Sequence, residues 1–105
     1  MAVITITSLQ QFEELIANNP KVAVDFTATW CGPCRLISPV FHKLAETIEG
    51  VVFATVDVDD VSEVAQKNGI RAMPTFIFFK DGVKSDDLTG ANKVGLEAKV
   101  KALAA

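Results

Sequence analysis

Hydrophobic positions along the chain switch repeatedly between the dense or alternating spacing of strands and the three-to-four spacing of helices. Val3 to Thr7 is a short β-branched run that predicts a strand. Ser8, with Gln11 three residues later, has capping-box spacing and opens a helix whose apolar face is Leu9, Phe12, Leu15 and Ile16. That helix stops at Asn18-Asn19-Pro20. Lys21 to Thr27 holds Val22, Ala23, Val24 and Phe26 in a near-continuous apolar run, the mark of a central strand buried on both faces. Asp25 is the one charged residue within it.

From Pro33 the period becomes helical, with Leu36, Ile37, Val40, Phe41, Leu44, Ala45 and Ile48 on one stripe. Pro33 suits the first helical position, where no amide partner is lost. Pro39, inside the stripe, predicts a bend in a helix of about four turns. Val51 to Val58 reads as a strand, and Asp60 with Glu63 as the cap of a short helix begun by Val61, Val64 and Ala65 and ended by Asn68-Gly69. Thr75 to Phe79 and Val83 to Thr89 flank Lys80-Asp81-Gly82, a hairpin signal that makes the last two strands antiparallel. Asn92 caps a final helix with Leu96, Val100 and Leu103 on its inner face. The order βαβαβαββα predicts an α/β fold: parallel strands from the early crossovers, a mixed sheet from the final hairpin, and helices on both faces. Ligands and chemistry in such sheets collect at the carboxyl ends of the strands. Trp30 to Cys34 lies at one of those ends.

Length changes the picture only by setting the domain count. The chain has 105 residues, too few for two independent cores, and no repeat or linker divides it, so one domain spanning residues 1–105 is expected. Half the residues are hydrophobic and 22% are charged, which excludes disorder as the main state. The formal net charge is −3 and there is no basic run, so nucleic acid is not an expected partner. Apolar runs are only a few residues long and the N-terminus lacks a basic-then-apolar segment; neither a membrane nor export is expected, and the cytoplasm is the expected location. With no apolar stripe beyond the region of the cysteines, the expected state is a monomer.

The chemistry rests on two cysteines. Cys31 and Cys34 are separated by Gly32 and Pro33, close enough to bond each other and too close for that bond to restrain much of the unfolded chain. A cysteine at a helix N-terminus is helped to ionise, which suits Cys31 as a nucleophile; Cys34, about a turn further along, is expected to be the deeper and less exposed thiol. Half of a zinc site is the rival reading, but the chain supplies no third cysteine and a single histidine, His42, whose plainer role is a surface or partly packed side chain. Two inert packed thiols are a further alternative. Asp25, placed in an apolar strand six residues before Cys31, is expected to be desolvated with its pKa raised, and so able to exchange a proton with the Cys34 thiol near neutral pH. Its alternative is a side chain turned outward to water. Pro74 belongs at a strand start. Trp30 is either a packed aromatic or a large apolar face beside the cysteines. Asp57, Asp59 and Asp60 lack the spacing of a calcium loop and read as a solvated strand end with a helix cap.

Trp30-Cys31-Gly32-Pro33-Cys34 resembles the active-site motif of the thioredoxin family. The resemblance extends from about Val3 to the C-terminus through Asp25, Pro39, Met73-Pro74-Thr75, Phe79-Lys80-Asp81-Gly82 and Gly90, and it is nearest to the eukaryotic cytosolic members. It implies the thioredoxin fold, a central five-stranded mixed sheet flanked by four helices, and a general protein-disulfide reductase. By this resemblance Cys31 is the attacking cysteine, Cys34 the resolving one, Asp25 the buried acid and Pro74 a cis-proline facing the disulfide. Trp30, Gly32, Pro33, Val58, Met73, Gly90 and Ala91 match the apolar rim on which protein substrates dock, partly by backbone hydrogen bonds beside that proline. No bound cofactor and no metal are implied; NADPH is used indirectly, through a thioredoxin reductase that returns electrons to the Cys31–Cys34 pair. The chain departs from many bacterial members at Thr27, where they have an aromatic, and at Thr55, where they carry a lysine near the buried aspartate. It also lacks the additional cysteines that some eukaryotic members use for regulation. A redox-dependent binding module without turnover is the alternative function, and a glutathione-using enzyme of the same fold a more distant one, since Pro-Tyr is absent between the cysteines.

Overall fold

The computed structural model describes residues 2–105. Its elements are β1 (Val3–Thr5), α1 (Leu9–Asn18), β2 (Lys21–Thr27), α2 (Gly32–Thr47), β3 (Val52–Asp57), α3 (Ser62–Lys67), β4 (Thr75–Lys80), β5 (Val83–Thr89) and α4 (Lys93–Ala104). The five strands form one sheet in the order β1-β3-β2-β4-β5. β3 runs parallel to both β1 and β2, whereas β4 is antiparallel to β2 and to β5. The mixed α/β sheet expected from the element order is the one observed.

Strand alternation sorts the core into two layers. Val22, Val24 and Phe26 of β2 join Ile77 and Phe79 of β4 on one side, beneath Phe12 of α1 and Val64 of α3. Ala23 of β2 joins Phe53, Phe76 and Phe78 on the other, beneath Ile37, Phe41 and Leu44 of α2 and Leu96, Val100 and Leu103 of α4. Phe41 is the centre of this second layer, with its ring centroid 5.3 Å from that of Phe53 and 5.6 Å from that of Phe76. Both faces of β2 are therefore covered, as its near-continuous apolar run requires.

Several local expectations are corrected. β1 ends at Thr5, because the Thr7 amide is taken by the Gln11 side chain: Thr7 N–H donates to Gln11 Oε1 at 2.6 Å, while Gln11 N–H donates to Ser8 Oγ at 3.1 Å. The capping box is thus closed one residue earlier than its usual reciprocal bond. α2 starts at Gly32, so Pro33 is its second residue, and the helix continues through Pro39. Leu36 is 78% exposed and lies outside the buried stripe of Ile37, Phe41 and Leu44. α3 is capped by Val61 without a side-chain bond; Asp57, not Asp60, is the acceptor there, taking the amides of Asp59 and Asp60 at 2.9 and 3.2 Å. The hairpin and the last helix follow expectation. Asp81 and Gly82 both have positive φ, 53° and 85°, as a two-residue turn between right-twisted strands demands, and Asn92 Oδ1 accepts the Gly95 amide at 2.9 Å. Among the described residues no helix is long and apolar enough to cross a membrane.

Candidate active site

The topology brings four loops to one edge of the sheet. β2 and β3 are parallel, so their carboxyl ends coincide; β4 is antiparallel to β2, pairing Thr75 with Phe26, so its amino end lies there too; β5 returns to pair Thr89 with Thr75. Cys31, Val58, Pro74 and Gly90, distant in sequence, follow or precede those strand ends. Two backbone bonds tie the loops together: Val58 N–H donates to Thr27 C=O at 2.9 Å, and Gly90 N–H donates to Pro74 C=O at 2.8 Å.

Cys31 is the N-cap of α2. Its amide donates to Ala28 C=O at 3.2 Å, and its Sγ accepts the Cys34 amide at 3.2 Å. The sulfur thus occupies the place of a capping oxygen, where the free amides and the positive end of the helix dipole favour negative charge. Cys31 and Cys34 form a disulfide with Cα atoms 5.3 Å apart. The two residues are buried almost equally, 4% and 3% exposed, so the contrast in depth expected between them is not present in the disulfide state. Both sulfurs are drawn into one small cluster with Ala28, against which Val58 and Met73 pack.

The other predicted residues surround that cluster. Gly32, Pro33 and Ala91 are exposed, Val58, Met73 and Gly90 half-buried, and Pro74 buried. The Met73–Pro74 peptide bond is cis, and Thr75 Oγ1 closes the preceding turn by donating to Ala72 C=O at 2.6 Å. Gly90 has φ of 101°, a conformation that side chains disfavour. Trp30 is 63% exposed, which decides against a packed aromatic, and its Nε1–H donates to Asp59 Oδ2 at 2.9 Å. His42 is exposed on α2, and among the described residues no group of three or more metal-ligating side chains is found.

Asp25 lies beneath this rim. It alternates with Val24 and Phe26, shares its sheet face with Ala23, and therefore points to the α2 side, where Cys34 begins the buried stripe. It is 2% exposed, and its Oδ1 has no hydrogen-bond partner. Burial pushes the carboxyl from 3.8 up to about 7. No charged neighbour opposes that shift: the in-register residue on β3 is Thr55, whose hydroxyl donates to the Asp25 main-chain carbonyl at 3.4 Å rather than to the carboxylate. The reading of Asp25 as an outward, solvated side chain is thereby overturned.

Sequence reasoning missed three residues that shape the site. Asp59 orients the indole, Arg35 holds the loop before Cys31 by donating from Nη2 to Thr29 C=O at 2.9 Å, and Ala28 fills the space beside the sulfurs. Asp59 is 29 residues from Trp30, so no local pattern signals the pair.

The comparisons agree with this geometry. The thioredoxin family model matches residues 3–102. The thioredoxin of Equus caballus is 51% identical over 100 residues, covering 93% of this chain and 95% of that protein. Thioredoxin H-type of Picea mariana is 54% identical over 95 residues, covering 90% of this chain and 76% of that one. Among solved structures, the thioredoxin of Malassezia sympodialis superposes with a TM-score of 0.94 at 47% identity, covering 98% of this chain and 91% of that chain. With the redox pair at the carboxyl edge of the sheet, these likenesses place the chain in the thioredoxin family, as a dithiol–disulfide oxidoreductase with protein-disulfide reductase activity.

Proposed function

We propose that Cys31 attacks and Cys34 resolves. In the reduced protein the Cys31 thiolate attacks one sulfur of a target disulfide; a Cys31–target bond forms, the target S–S bond breaks, and the first target sulfur leaves as a thiolate that takes a proton. Cys34 then loses its proton to the Asp25 carboxylate and attacks Cys31 Sγ. The Cys31–Cys34 disulfide forms and the second target thiolate departs. Two electrons have passed to the target. The observation that carries this assignment is the placement of Cys31 Sγ at the N-cap of α2, accepting the Cys34 amide, where a thiolate is stabilised. The raised pKa of Asp25, on the α2 side of β2, supports it as the proton acceptor near neutral pH.

The surface formed by Trp30, Gly32, Pro33, Val58, Met73, Pro74, Gly90 and Ala91 is the docking rim for protein substrates; its position around the sulfurs supports this. Family membership supports a thioredoxin reductase as the partner that returns electrons from NADPH, and no bound cofactor is needed for the exchange itself. We also take the chain to be one domain over residues 1–105, a monomer, and a resident of the cytoplasm. The single continuous sheet supports the first, and the similarity to cytosolic thioredoxins the last.

The test is insulin disulfide reduction with dithiothreitol as donor and a chelator present. The expected result is a large acceleration by the wild type that Cys31→Ser abolishes. An acceleration that survives Cys31→Ser would reject the assignment.

A further inference from the structure

Helices α2 and α4 lie side by side on one face of the sheet, with a groove of about 490 Å³ between them. Val40, Leu44 and Ile48 give it an apolar floor. Lys43 on one wall and Lys93 and Lys101 on the other face a single carboxylate, Glu97, so the groove is locally cationic in a chain whose net charge is −3. Among the described residues the ion pairs are Lys67 with Glu13, Lys84 with Asp87 and Lys99 with Asp86, and none engages the groove lysines.

Lys93 is informative for a second reason. It opens α4, whose first turn has no acidic residue and whose amide end is already capped by Asn92. A cation there is disfavoured by the helix dipole, and Glu97, four residues on, forms no ion pair with it; an anion seated in the groove would compensate it.

The groove is continuous with the region around the disulfide. A second depression, lined by Leu36, Ile37 and Ala91, shares Val40 and Lys93 with it. Ala91 belongs to the docking rim, and the exposed Leu36 side chain lies on the path between the two. We propose that a protein partner docked on the rim continues as an extended segment along the α2–α4 groove, and that this segment is acidic. The inference rests on the reading of the rim as the substrate-docking surface.

Helix geometry sets the spacing of the acidic residues. Lys43 is twelve residues beyond Cys31, the residue to which the target is joined, and Ile48 is seventeen beyond it, or about 18 and 26 Å at 1.5 Å per residue. An extended chain covers those distances in about five and about eight residues. Aspartate or glutamate five to eight residues from the attacked cysteine therefore meets the lysines.

The experiment uses disulfide-linked, quenched peptides that differ only at positions five to eight from the reacting cysteine, carrying Glu, Gln or Lys there. Reduction is followed with dithiothreitol as recycling donor. At low ionic strength the kcat/KM for the Glu peptide is expected to exceed that for the Gln peptide by about tenfold, with the Lys peptide slowest. The ratio of Glu to Gln rates should fall towards one at about 0.5 M salt and in the exposed-surface variant K43E/K101E. Equal rates for the three peptides, or a preference that K43E/K101E retains, would overturn the acidic-segment proposal while leaving the disulfide reductase intact. Failure to reduce the Gln peptide above the dithiothreitol background would instead remove the docking-rim reading and the proposal with it.

Discussion

A carboxyl group buried without a hydrogen bond to one of its oxygens makes Asp25 the residue with the sharpest thermodynamic signature. Its pKa is raised from 3.8 to about 7, so the folded state holds the proton more tightly than the unfolded chain. Its contribution to stability is therefore most favourable below pH 4, declines as pH rises towards 7, and is constant above. Each pKa unit corresponds to about 1.4 kcal/mol, so an Asp25→Asn variant is expected to gain up to about 4 kcal/mol relative to wild type at pH 8 and almost nothing at pH 4. Urea unfolding at the two pH values measures this; parallel stability curves would mean that the carboxyl does not titrate as described. Trp30 offers an optical test at the same scale, because it is the single tryptophan in the chain. Asp59→Ala frees the indole N–H, so tryptophan anisotropy should fall, while stability changes by less than about 1 kcal/mol because the pair is exposed. Unchanged anisotropy would show that the bond does not hold the ring.

At the scale of elements, α2 joins the chemistry to the core. Its first turn caps on Cys31 and its buried stripe runs through Cys34, Ile37, Phe41 and Leu44. Phe41→Ala removes the ring that meets Phe53 and Phe76 and is expected to cost about 3–5 kcal/mol, measured by chemical denaturation. A loss below about 1 kcal/mol would mean that the layer repacks around the gap. The elements were largely legible in the sequence because their signals are local: β2 from its apolar run, the hairpin from Asp81-Gly82, α4 from Asn92. Ends were harder to read. The Thr7 amide that terminates β1 is claimed by a side chain four residues on, and α3 opens on Val61 without a side-chain cap, the amides of Asp59 and Asp60 before it being taken by the Asp57 carboxylate. Leu36 misled because it sits at the margin of a helical stripe, where period alone does not separate the buried side from the exposed one. At the site, the cysteine motif was visible locally and the buried acid from its interruption of an apolar strand. The indole partner was not, since only folding brings Asp59 to Trp30.

For the molecule as a whole, one sheet with cores on both faces holds four loops at a single edge, and the redox pair sits where β2 meets them. In the proposed mechanism the reaction is divided between two sulfurs that are equally buried when joined, and the helix cap rather than depth sets that division. The measurement that tests this most directly is trapping. Reduced Cys34→Ser and reduced Cys31→Ser are each mixed with a protein disulfide, and the adducts are identified by mass spectrometry after alkylation. A stable mixed disulfide at Cys31 is expected in the Cys34→Ser variant, and no comparable adduct at Cys34 in the Cys31→Ser variant. Faster or more abundant trapping at Cys34 would reverse the assignment of attacking and resolving cysteines.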